Sequence, residues 1–149
     1  MKRAFSLMEL VIVVGIITIL TAVTIISVRS FSPYFQLNNS TKLILSKLRQ
    51  AQEEAIAIQA RHSLFFDTSK TPLVYQLIKI NDLDESRTPI ETKELASNLT
   101  VDFNPERAVK EVIFSSDGAP DWSGKITISL STSNKKTIDV SPAGVMKIE

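Results

Sequence analysis

A single carboxylate, Glu9, interrupts the apolar run that opens this chain, and no other feature narrows the fold so far. Residues 10–28 read Leu-Val-Ile-Val-Val-Gly-Ile-Ile-Thr-Ile-Leu-Thr-Ala-Val-Thr-Ile-Ile-Ser-Val and carry no charge. Phe5, Leu7 and Met8 extend the apolar stretch past Glu9 towards the N-terminus. As a helix, 10–28 is roughly 28 Å long at ~1.5 Å per residue, close to the thickness of a bilayer's hydrocarbon core. A transmembrane helix is therefore predicted over 5–30. A carboxylate in that setting costs on the order of 3 kcal/mol or more, which makes Glu9 a functional candidate that needs a partner.

The head of the chain supplies one. Met1, Lys2, Arg3 and Ala4 precede the apolar segment. A secretory signal would have a shorter apolar region followed by a small-residue cleavage site. Here the run is too long, no such site follows it, and the small residue, Ala4, lies before it. Cleavage between Ala4 and Phe5 would create an α-amino group on Phe5, one helical turn from Glu9.

The string Ala4-Phe5-Ser6-Leu7-Met8-Glu9-Leu10-Val11-Ile12-Val13-Val14 resembles the type III signal of type IV pilins and type II secretion pseudopilins. The resemblance implies that a prepilin peptidase removes residues 1–4 and methylates the new N-terminus at Phe5. It also implies that Glu9 pairs with the N-terminal amine of a neighbouring subunit during assembly. The family usually has Gly before the cut; this chain has Ala4, which is also small.

Composition leaves one soluble domain of about 100 residues behind the helix. The formal net charge is +1, and loss of Lys2 and Arg3 with a leader makes it −1, so neither form pulls strongly on nucleic acid or acidic lipid. Lys2 and Arg3 flank the N-terminal side of the run, so the leader stays cytoplasmic and the C-terminal domain faces the periplasm or the outside. With no cysteine there are no disulfides, thiolate metal sites or cysteine catalysis.

Thr18, Thr21, Thr24 and Ser27 recur every three residues; they suit close helix approach in lipid, or bonds to their own backbone. Pro33 predicts a kink or a short melted segment. Helical pattern then resumes through 31–61, where Ile44, Leu48, Ala51, Ala55 and Ile58 form one apolar face. Beyond it lie short strands over 62–66, 73–80, 99–103, 111–115, 125–130, 137–140 and 145–148, with 81–93 an exposed loop. Runs of strands after a helix indicate an α+β fold with a globular β domain over 62–149.

The segments Ala51-Gln52-Glu53-Glu54-Ala55, Val112-Ile113-Phe114-Ser115-Ser116-Asp117-Gly118 and Ser141-Pro142-Ala143-Gly144-Val145 resemble the minor pilin and pseudopilin group called GspH/FimT. That resemblance implies a long first helix lying across a small, mostly antiparallel β-sheet domain. It implies a structural minor subunit of a type II secretion pseudopilus or a type IV pilus, with other pilins and an inner-membrane assembly platform as partners.

Other chemistry fits less well. His62 is the sole histidine, so a zinc site and a catalytic triad have little to build on. Asp82, Asp84 and Ser86 have calcium-loop spacing, but Arg87 stands where the turn Gly belongs and Lys93 where the bidentate Glu belongs. No glycine-rich phosphate loop is present, so no cofactor is expected and the assembly ATPase is another protein. Trp122 sits in a loop and is expected to cap the core. Lys125, Lys135, Lys136 and Lys147 could form a weak basic patch for a DNA-capturing minor pilin, and a major-subunit role is the third reading.

Overall fold

The computed structural model describes residues 7–96, 98–131 and 134–149, and for 22–32 only the backbone. Two compact units result, Met1–Phe35 and Gln36–Glu149. Helix α1, Leu7–Ile58, is assigned as 52 continuous residues with Pro33 inside it. The expected melting at Pro33 does not occur. Proline removes a single N–H from the ladder, and the turns on either side keep theirs.

In the second unit, α1 buries the expected face. Ile44, Leu48, Ala51 and Ala55 are at most 1% exposed, and Leu37 is buried beside them. Thr41 is also buried, its hydroxyl donating to the Leu37 carbonyl at 2.7 Å, so no polar atom is stranded. Ile58 departs from the expectation and is half exposed. It is the last residue of α1, and Gln59, at φ +55°, turns the chain towards the first strand.

Eight strands follow among the described residues: β1 His62–Asp67, β2 Val74–Ile80, β3 Arg87–Glu94, β4 Thr100–Asn104, β5 Glu111–Phe114, β6 Gly124–Ser129, β7 Lys135–Val140 and β8 Met146–Ile148. They form two four-stranded antiparallel sheets, ordered β3-β2-β1-β5 and β4-β6-β7-β8. The fold is α+β, as expected. Alternation builds its core: Leu64, Phe66, Tyr75, Leu77, Val112 and Phe114 from the first sheet meet Val101, Phe103, Ile126, Ile128, Ile138 and Val140 from the second and the apolar face of α1. Each fully buried leucine or isoleucine in this set contributes roughly 2 kcal/mol.

One expected loop is in part a strand. Residues 87–93 of the predicted 81–93 loop, with Glu94, form β3, an edge strand paired with β2. Its residues are exposed apart from Glu91, and it carries Arg87, Pro89, Lys93 and Glu94. An edge strand with neither face buried, and guarded by charge and proline, leaves no apolar alternation in the sequence. Trp122 is half buried against the core as expected, its ring centroid 4.8 Å from that of Phe103.

Candidate assembly helix

The N-terminal part of α1 is apolar and exposed on every side. Large apolar residues within 7–21 range from 43% exposed at Val13 to 80% at Leu7, and no residue in this stretch is buried. A helix that is hydrophobic all round is stable in water only when something else covers it. Glu9 lies in its first turn and is exposed. Ala4 and Phe5, the expected cleavage site and methylated terminus, lie outside the described residues, as does the 1–4 leader.

The hydroxyl stripe resolves in part. Thr18 and Thr21 donate to the carbonyls of Val14 and Ile17, each at 2.7 Å, so both hydroxyls are satisfied within their own helix. The side chains of Thr24 and Ser27 lie outside the described residues. Around Gly15 the space is open, and a Cβ added there would meet nothing within 4 Å. Among the described residues no helix is long and apolar enough to cross a membrane.

The four candidate lysines do not form one surface. Ile126, Ile128, Ile138, Val140 and Met146 point into the core, so alternation puts Lys125, Lys135 and Lys147 on the opposite face of their sheet. Lys136 alternates with Lys135 and reaches α1, donating to Asn38 at 3.1 Å. Asp139 stands in register with Lys125 on one side and Lys147 on the other, and Lys125 also pairs with Glu149. That pairing raises the Lys125 amine above its ordinary range. Acid is thus interleaved with base.

Other candidate chemistry is accounted for by local structure. His62 is fully buried, its Nδ1 2.8 Å from the Ala60 carbonyl. Asp82 pairs with Arg61. Asp84 accepts from the Ser86 hydroxyl and backbone amide, which holds its carboxyl below the ordinary range. Among the described residues no three His, Asp or Glu side chains gather in a way that would hold a metal ion.

Sequence reading missed a junction at Gln52. Its amide nitrogen donates to two carbonyls, Gly118 at 2.8 Å and Gly144 at 3.1 Å. Both glycines have positive φ, +82° and +76°, and a Cβ on either would run into α1 side chains: Ile56 at Gly118, Gln52 at Gly144. The three segments that carried the GspH/FimT resemblance therefore meet at one point. The available signal was a polar residue lodged between the buried Ala51 and Ala55 of the helix face.

Sequence comparison finds no matching protein-family model and no matching curated protein. Solved structures do match. The type IV minor pilin FimU of Pseudomonas aeruginosa aligns with a TM-score of 0.65 at 17% identity, covering 80% of this chain and 92% of that one. A second crystal form of FimU gives a TM-score of 0.62 at 17% identity, covering 76% and 92%. The minor pseudopilin EpsH of the Vibrio cholerae type 2 secretion system aligns with a TM-score of 0.62 at 14% identity, covering 76% of this chain and 96% of that one. The chain has the fold of these minor pilins and pseudopilins, the fold that its N-terminal and C-terminal motifs imply.

Proposed function

We propose that this protein is a structural minor subunit of a type IV pilus or a type II secretion pseudopilus. The observation that carries the reading is an apolar helix, exposed on every side over 7–21 and bearing one carboxylate in its first turn, on a domain with the minor-pilin fold. Such a helix needs other helices or lipid around it.

In this reading residues 1–4 are a leader removed by a prepilin peptidase, which then methylates Phe5. Residues 5–30 form the membrane and assembly segment, 31–61 its amphipathic continuation and 62–149 the globular domain. Before assembly the chain is held in the inner membrane as a single pass, with the domain in the periplasm or outside. The uncharged sequence over 10–28 supports that stage. On assembly, Glu9 and the Phe5 ammonium of the next subunit neutralise each other where an unpaired charge is expensive. The helices bundle as the filament core, helped by the assembly platform. Before cleavage Phe5 has a peptide nitrogen and no charge, so processing switches assembly on.

DNA capture is the weaker reading, because Asp139 and Glu149 interleave with the lysines that would carry it. Among the described residues no cluster of side chains supports a catalytic reading.

The test is Glu9→Ala followed by fractionation of membranes and sheared filaments. Cleavage before Phe5, read by mass spectrometry, should persist while incorporation into filaments is lost. Normal incorporation of the variant would remove Glu9 from the mechanism.

A further inference from the structure

We propose that the adjacent rings of Tyr34 and Phe35 are an interfacial anchor, lying at the headgroup level of a lipid bilayer and setting the depth of α1 before assembly. This rests on the membrane-held stage of the proposed function and adds a depth and a residue pair to it.

Two observations support a boundary at the pair. The first is exposure: Tyr34 and Phe35 are 58% and 56% exposed, and their rings meet edge to face with centroids 6.3 Å apart. Two large rings facing outward on consecutive helical positions cover a broad arc of the helix surface. The second is a change of composition. The uncharged run ends at Val28; Arg29, Ser30 and Ser32 lead into the pair, and Gln36, Leu37, Asn38, Asn39, Ser40 and Thr41 follow it. A tyrosine beside a second ring, just past an apolar helical segment and its flanking Arg29, matches the chemistry of the membrane–water interface, where the tyrosine ring keeps its body towards the acyl region and its hydroxyl in the headgroups.

Length agrees. A helix from Leu7 to Phe35 rises roughly 42 Å, within the ~40–45 Å that a bilayer measures with its headgroup regions included. Seating the aromatic pair at one interface therefore puts Leu7 to Glu9 at the other. There a carboxylate meets water and headgroups, and costs far less than at the bilayer centre.

Trp122 is the sole tryptophan, so depth can be read by fluorescence. In a Trp122→Phe background, Ile19→Trp, Tyr34→Trp and Phe35→Trp are made one at a time in the full chain. Each is reconstituted in phosphatidylcholine vesicles brominated either just below the headgroup or near the chain ends. Ile19→Trp should be quenched more strongly by the deep bromines. Tyr34→Trp and Phe35→Trp should be quenched about twofold more strongly by the shallow ones. Stronger quenching of both aromatic-site probes by deep bromines would overturn the anchor by placing them in hydrocarbon. No quenching of either, with Ile19→Trp still quenched, would overturn it by placing them in water or against a neighbouring helix, and would leave the membrane stage standing. An Ile19→Trp probe quenched by neither lipid would remove the membrane stage itself, and the anchor with it.

Discussion

The side-chain amide of Gln52 lies 3.1 Å from the carbonyl oxygen of Gly144 and donates to it, while the same nitrogen donates to Gly118 at 2.8 Å. The partners are 92 and 66 residues away in sequence. Gly118 lies between β5 and β6, and Gly144 between β7 and β8. One helix side chain thus ties the turns that follow a strand of each sheet to α1. Only glycine leaves room for it at Gly144, since a Cβ there would also lie 2.8 Å from the Gly118 carbonyl.

Gln52→Ala removes both bonds and should cost about 2 kcal/mol, read as a lower urea midpoint in Trp122 fluorescence. Gly144→Ala should cost at least about 1–2 kcal/mol from its left-handed backbone alone, with the steric conflict against Gln52 added. Because part of that cost is the Gln52 contact, the double variant should be less damaged than the two single losses combined. Simple additivity would show that Gln52 and Gly144 do not meet.

Edge strand β3 is fastened to the rest of the domain through Glu91. Lys47 donates to its Oε2 at 2.6 Å, Lys93 to its Oε1 at 3.0 Å, and the Tyr75 hydroxyl to Oε1 at 3.1 Å. Lys47 first, then Lys93, hold the Glu91 carboxyl down at about 2, against an ordinary 4.5. A carboxyl with a depressed folded pKa contributes stability that is complete above its unfolded pKa and is lost as pH falls through the folded value. The urea midpoint should therefore decline between about pH 5 and about pH 2, and Glu91→Gln should flatten part of that decline. Asp67 and Asp84, also depressed by serine hydroxyls, account for some of what remains. At the alkaline end, burial and then Glu91 push the Tyr75 hydroxyl up to about 12. The stability of its neutral form is complete below the ordinary value of 10 and is lost as pH rises towards about 12. An acid limb unchanged in Glu91→Gln would detach this carboxylate from the fold's stability.

The difference between β3 and β6 explains how far the sequence could be read. In β6, Ile126 and Ile128 alternate with Lys125, Thr127 and Ser129, because one face is buried; that pattern is visible in the letters. In β3 neither face is buried, so nothing in its composition separates it from the loop before it. The helix face behaved like β6 from Ile44 to Ala55 and failed at Ile58, where the helix simply ends. At the candidate site, Glu9 stood out because a charge in an apolar run is conspicuous. Gln52 did not, because its partners are backbone carbonyls, and carbonyls carry no residue signature.

The outer face of the first sheet holds a buried charge with a half-open partner. The Glu111 side chain is 4% exposed and pairs with Arg87, which is 45% exposed. Arg87→Ala would leave that carboxylate uncompensated and should cost about 2 kcal/mol, less than a wholly buried pair because water reaches the arginine side. Arg87→Met with Glu111→Leu removes both charges together and should recover most of the loss. A double variant as unstable as Arg87→Ala would show that the arginine stem, rather than its charge, protects this face.

The bonding of Thr18 and Thr21 within α1 sets the last expectation. Each hydroxyl already donates to the carbonyl four residues back, at 2.7 Å, so neither is a donor waiting for a neighbouring helix. Thr18→Val with Thr21→Val keeps the side-chain volume and removes only bonds that an intact helix does not require. Interhelical hydrogen bonds in membranes are themselves worth only about 0.6 kcal/mol on average. The double variant should therefore enter filaments within about twofold of the parent, whereas Glu9→Ala should not. Loss of incorporation in the threonine variant, with cleavage before Phe5 intact, would show that these hydroxyls exchange their backbone partners for a neighbouring helix on assembly. The helix contact would then rest on the threonines as well as on Glu9.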